Sequence, residues 1–149
     1  MEVDQENMSR PKSQEKANLN ILIVEDDFAS SELLGEYLSQ YGDCTIAVNG
    51  ADAIVAFKNA LDKGRPYEMV CLDIMIPAIN GHLVLEEIFQ IEKNRGIDKQ
   101  DGVKVIMTTA IDDSKVITRA FNKGCDAYIV KPVTQEHLIE EMRTLSLIK

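Results

Sequence analysis

Residues 69–81 read MVCLDIMIPAING, and the place of the single carboxylate in this stretch decides the fold. Met69 to Leu72 are apolar on both sides of any strand they form, which suits a parallel strand covered on both faces. Asp73 then interrupts the run. Stripping an ionised carboxylate of water costs several kcal/mol unless it is paired or coordinated. Asp73 therefore belongs at the end of the strand, at the edge of a sheet, with Pro77 and Gly81 turning the chain away and starting a helix.

Working outward, similar apolar runs recur at ILIV (21–24), CTIAV (44–48), VKVIM (103–107) and AYIV (127–130). Between them apolar residues return at helical spacing: Leu33, Leu34, Tyr37, Leu38 and Tyr41; Ala53, Phe57, Ala60 and Leu61; Val84, Leu85, Ile88 and Phe89; Val116, Ile117, Ala120 and Phe121; Leu138, Ile139, Met142 and Leu145. Asn49, Asp113 and Thr134 stand at helix-capping positions, while Gly64 and Gly124 follow helix ends. Strict alternation of five strands and five helices specifies an α/β fold, with a parallel sheet, right-handed crossovers and helices on both faces. In such sheets ligands sit at the carboxyl ends of the strands, where the strand order reverses.

The 149 residues are 45% hydrophobic, enough for one domain with a real core. Residues 1–18 are polar with little to bury, and the expectation is a disordered tail followed by one domain over 19–149 with no output domain. The formal net charge of -9 repels phosphate backbones and anionic lipid, so the expectation is no nucleic-acid partner and no membrane. No apolar run reaches the roughly 18 residues of a spanning helix. Cys44, Cys71 and Cys125 are odd in number and widely spaced, which disfavours a disulfide framework or zinc site and points to a cytoplasmic location with three buried thiols. His82 and His137 fall on helical segments without an evident partner.

Three strand ends carry chemistry. The first ends in Glu25-Asp26-Asp27 and the third in Asp73, so neighbouring strands would gather three carboxylates. Two unit charges about 4 Å apart repel by roughly 4 kcal/mol at an effective dielectric near 20, so the cluster needs a cation. All-oxygen ligation points to Mg²⁺, with Mn²⁺ as the substitute. Asp27 has a simpler role as the cap of the first helix. Thr108-Thr109-Ala110 close the fourth strand and Lys131-Pro132 the fifth. A hydroxyl and an ammonium beside carboxylates and a metal suit a phosphoryl group carried on Asp73.

These residues, in this order, resemble the receiver domains of two-component response regulators, the CheY-like family. The resemblance runs from about Asn20 to the C-terminus and rests on ILIVEDD, CLDIMIPAING, IMTTA, and Tyr128 with Lys131-Pro132 in AYIVKP. It implies a doubly wound, flavodoxin-like (βα)5 sheet with strand order 2-1-3-4-5. It also implies that Asp73 accepts phosphate from the phosphohistidine of a sensor kinase or phosphotransfer protein. By the same resemblance Glu25, Asp26, Asp73 and the Met75 backbone carbonyl hold Mg²⁺, Lys131 neutralises the phosphoryl oxygens after a Lys131-Pro132 bond that is cis in many relatives, and Thr109 and Tyr128 form the switch.

The resulting expectation is a stand-alone, non-enzymatic switch that catalyses only its own phosphorylation and dephosphorylation. It would control a downstream protein docked on the face of the fourth helix, fifth strand and fifth helix, in chemotaxis or other two-component signalling. A phosphorelay intermediate or phosphate sink is the alternative. A Mg²⁺-dependent phosphatase would want an acid where Met75 stands, a flavin carrier would not place Glu25-Asp26-Asp27 after strand one, and a pseudo-receiver would not keep the whole set. Met75 and Ile111, each two residues past a key position, cannot orient water by hydrogen bonding, so a long-lived phosphorylated state is expected. The segments KNALDKGRPYE and EKNRGIDKQDG are longer than in many receivers.

Overall fold

A computed structural model describes residues 18–149. The tail expected over 1–18 lies, apart from its last residue, outside the described residues. The chain runs β1 (Leu19–Val24), α1 (Phe28–Leu38), β2 (Gly42–Ala47), α2 (Gly50–Asp62), β3 (Met69–Leu72), α3 (Gly81–Asn94), a 3-10 turn (Lys99–Asp101), β4 (Lys104–Thr109), α4 (Ser114–Asn122), β5 (Ala127–Val130) and α5 (Gln135–Thr144). The five strands are parallel in the order β2-β1-β3-β4-β5, as the resemblance implied.

β1 and β2 both start two residues before their apolar runs, at Leu19 and Gly42. β4 closes at Thr109, as expected, where Thr108 and Thr109 pair with Ile129 and Val130. β2 starts at Gly42 because the edge strand follows β1 from its first residue, Leu19 against Gly42.

Alternation along the strands divides the core in two. Leu22, Val24, Val70, Leu72, Val105 and Met107 face α2, α3 and α4, where Phe57, Leu85 and Ile88 meet them. Ile21, Ile23, Met69, Cys71, Ile106 and Ile129 face α1 and α5, against Leu34, Leu38, Leu138 and Met142. Since α1 and α2 leave the β1 region on opposite faces, the crevice opens between the carboxyl ends of β1 and β3.

Capping follows the sequence. Asn49 accepts the amide of Asp52 at 2.7 Å, Asp113 that of Lys115 at 2.8 Å and Thr134 that of His137 at 3.2 Å. Gly64 and Gly124 take positive φ of 72° and 108° just past α2 and α4. Asp27 caps α1, accepting the amide of Ser30 at 2.8 Å. Of the thiols, Cys71 and Cys125 are buried and Cys44 is half-exposed, because it lies on the edge strand. Among the described residues no helix is long and apolar enough to cross a membrane.

Both long segments turn out to be stapled at the amino edge of the sheet. Lys99 Nζ lies 2.9 Å from Asp126 Oδ1 and 4.7 Å from the centre of the Phe89 ring. The buried Glu92 accepts the Val103 amide at 2.8 Å. Arg65 pairs with Asp43 at 2.6 Å, and its carbonyl accepts from the Asn20 side chain at 2.8 Å.

Candidate functional site

Backbone bonds at the strand ends bring the site together. The Glu25 amide donates to Ala47 O at 3.0 Å, the Asp73 amide to Val24 O at 3.1 Å and the Lys131 amide to Thr109 O at 2.8 Å. Each carries its residue one step past a strand that has just ended, so the side chains converge on the carboxyl edge. Behind Asp73 the chain turns back tightly. The Gly81 amide returns to Ile74 O at 2.8 Å, and a Cβ on Gly81 would fall 2.5 Å from Asp73 O. Only glycine allows that approach. Asn80 completes the turn by capping α3, accepting the Leu83 amide at 3.2 Å.

Glu25, Asp26 and Asp73 each turn a carboxylate oxygen into one cluster, all within 4.8 Å of one another. Glu25 is 1% exposed and Asp73 5%, while Asp26 reaches solvent. Lys131 Nζ stands 2.6 Å from Glu25 Oε1 and 3.1 Å from Asp73 Oδ2. The other carboxylate oxygens take backbone donors, Asp27 N to Glu25 Oε2 and Met75 N to Asp73 Oδ1, both at 3.1 Å. The Lys131-Pro132 peptide is cis.

Burial pushes the Glu25 carboxyl above its usual range, against the downward pull of the Lys131 and Asp27 bonds. Burial alone would lower the Lys131 ammonium, but its bonds to Glu25 and Asp73 outweigh that and hold it above its usual value. The cluster sets three carboxylates against one ammonium, with hard oxygen donors and no nitrogen or sulfur ligand in it. That donor set fits Mg²⁺ or Mn²⁺.

Thr109 and Tyr128 lie close by in the fold but share no hydrogen bond with the cluster. Thr109 Oγ1 is fully buried and has no hydrogen-bond partner among the described residues. The Tyr128 hydroxyl donates to Ile111 O at 2.8 Å, and its half-buried ring packs against the core on the α4 side. Met75 is 63% exposed beside Asp73, whereas Ile111 is half-buried. On the face expected to dock a partner, Val116 and Tyr128 pack on the core and Phe121 is exposed.

Sequence reasoning overlooked Glu92, a buried acid in the last turn of α3. The available signal was its spacing four residues after Ile88, which places it on the apolar stripe.

The family model for the response regulator receiver domain matches residues 21–143. The chain is 32% identical over 127 residues to the probable transcriptional regulator ycf29 of Porphyra purpurea, covering 85% of this chain and 56% of that protein. It is 28% identical over 131 residues to the chemotaxis protein CheY of Treponema pallidum, covering 87% and 83%. It is 31% identical over 124 residues to the DNA-binding response regulator MtrA of Mycolicibacterium paratuberculosis, covering 83% and 49%.

Among solved structures, the CheX-CheY-BeF3-Mg+2 complex from Borrelia burgdorferi superposes with a TM-score of 0.72 at 25% identity, covering 86% of this chain and 89% of that one. The chain spans about half the length of ycf29 and MtrA.

These relatives overturn the expectation of no nucleic-acid partner, since a DNA-binding regulator and a probable transcriptional regulator contain the same kind of segment. The physical reason is that net charge describes the average surface of one segment. It excludes neither local basic patches nor contacts made elsewhere in an assembly. Fold, family model and relatives agree: the chain belongs to the response regulator receiver domains, a family of signalling switches.

Proposed function

We propose that this domain is switched by phosphorylation of Asp73, which accepts a phosphoryl group from the phosphohistidine of a sensor kinase or phosphotransfer protein. The observation that carries the reading is the setting of Asp73. It is a nearly buried carboxylate held by the Lys131 ammonium at 3.1 Å and the Met75 amide at 3.1 Å, beside two further acids. Such preorganised donors aim at the place where charge on a transferring phosphoryl group develops.

In the transfer, an Asp73 carboxylate oxygen forms the new bond to phosphorus. The bond from phosphorus to the donor imidazole breaks, its electron pair stays on nitrogen, and the ring takes up one proton to leave neutral. A Mg²⁺ or Mn²⁺ ion held by Glu25, Asp26, Asp73 and the Met75 backbone carbonyl would offset charge on the phosphoryl oxygens. Lys131 moves from a two-carboxylate partner to a phosphoryl partner.

The product carries about -1.5 to -2 charge and three new acceptor oxygens. The buried Thr109 hydroxyl, without an acceptor now, donates to one of them. Its movement opens space for Tyr128, which leaves the Ile111 carbonyl and turns inward, and the two conformers exchange population as the phosphoryl group favours one. The domain acts once per phosphoryl group and turns over only its own phosphate.

The test is mass spectrometry after incubation with MgCl2 and acetyl phosphate, comparing wild type with Asp73→Asn. Wild type is expected to gain one phosphoryl mass and Asp73→Asn none. An unmodified wild type, or equal modification of both proteins, would overturn the reading.

A further inference from the structure

Two adjoining clefts of about 760 and 990 Å³ run along α3, one against α4 and one against α2. Both are lined by Leu83, Glu86, Asn122 and Lys123, so they form one continuous groove. The chain as a whole has 25 acidic and 16 basic side chains. The groove reverses that balance, with Lys58, Lys93, Lys115, Arg119 and Lys123 against Glu86 and Glu87. Only Lys123 is neutralised, by an ion pair to Glu86; the other four cations have no ion-pair partner among the described residues.

Lys115 and Arg119 on α4 and Lys123 just past its end follow at intervals of four, making a row about 12 Å long. The floor between this row and Lys58 and Lys93 is apolar, from Ile54, Ile79 and Phe89, and Leu83 projects there at 51% exposure. His82 lines the α4 side, and its buried Nδ1 has no hydrogen-bond partner among the described residues. Burial, with Arg119 and Lys123 alongside, lowers its proton affinity.

We propose that this groove docks an acidic amphipathic segment of a partner protein, its carboxylates meeting the cation rows and its apolar side chains lying over Leu83. Charge complementarity selects an anionic occupant. The apolar floor favours an amphipathic peptide over a nucleic acid, whose phosphates would leave Leu83 uncovered. The groove shares no residue with the carboxylate cluster, so the inference stands apart from the phosphorylation reading.

The test is fluorescence anisotropy with the full chain and three labelled probes: a synthetic helical peptide with a Leu stripe and Glu on its other faces, poly-L-glutamate, and a single-stranded DNA oligonucleotide. The peptide is expected to saturate wild type, to bind more tightly than poly-L-glutamate, and to weaken with added salt. Its affinity should fall about tenfold or more, at least 1.4 kcal/mol, in Lys115→Glu/Arg119→Glu. Leu83→Ser, which keeps every cation, should weaken the peptide and leave poly-L-glutamate unchanged. Absence of saturable peptide binding to wild type, or peptide binding unchanged in both variants, overturns the proposal. So does tighter binding of the DNA than of the peptide, which would assign the groove to nucleic acid.

Discussion

Lys131 lies among the same oxygens that a divalent cation would take, so the two should compete. Its Nζ is 2.6 Å from Glu25 and 3.1 Å from Asp73, and the side chain is 22% exposed. Replacing it by Met keeps most of the length and removes the charge. Two opposite effects follow. Without added metal the variant loses the partner of two buried carboxylates, which costs about 3 kcal/mol, the low end for breaking a buried pair. Divalent binding gains, because a +1 charge no longer faces the incoming +2. At about 5 Å and an effective dielectric between roughly 40 and 80, that repulsion is about 2 to 3 kcal/mol, or at least tenfold in dissociation constant.

Isothermal titration with MgCl2 measures the affinity directly, and thermal melts followed by circular dichroism measure the stability. Lys131→Met should melt below wild type without Mg²⁺ and recover more than wild type does at millimolar Mg²⁺, since a ligand bound only to the folded state stabilises it. Equal or weaker Mg²⁺ binding by Lys131→Met would refute the competition. Absence of any Mg²⁺ effect on the wild-type melt would count against a metal site at Glu25, Asp26 and Asp73 altogether.

Glu92 gives a pH dependence of defined sign. Burial raises its folded pKa above 4.5 despite the Val103 amide bond, so the folded state binds the proton more tightly and stability falls as pH rises from about 4.5 through the raised value. Denaturant unfolding across that window should show a smaller loss in Glu92→Gln, and identical slopes in the two proteins would remove Glu92 as the cause. The phosphorylated state should decay over minutes or longer, because the apolar Met75 and Ile111 side chains hold no water for attack; loss of phosphate in seconds, followed by mass spectrometry after desalting, would exclude that account.

Most of the fold was legible because its determinants are short-range. MVCL, ILIV and AYIV are apolar on both faces, and Asn49, Asp113 and Thr134 cap helices with their own side chains. The starts of β1 and β2 were less legible because pairing fixes them. Nothing local in Leu19-Asn20 or Gly42-Asp43 marks a strand until the two segments lie opposite each other. The amino-edge staples show the same limit: Lys99 and Asp126 are 27 residues apart, and only the folded sheet makes them partners.

The candidate site divides along the same line. Which residues meet could be read from strand ends, because each strand delivers its next residue to the same edge. What each side chain does there is a competition among several partners and could not be read from spacing. Lys131 illustrates this: reaching Asp73 alone would leave Glu25, 1% exposed, without a cation, so the ammonium bridges both. Tyr128 shows the same limit, since its hydroxyl donates to the Ile111 carbonyl, a partner 17 residues away that spacing does not reveal. Under the proposed function, the Thr109 hydroxyl, unpartnered among the described residues, and the shared Lys131 ammonium would act together. Each leaves a favourable interaction available to a phosphoryl group on Asp73, and that difference between the two states is what would let a local charge move the equilibrium.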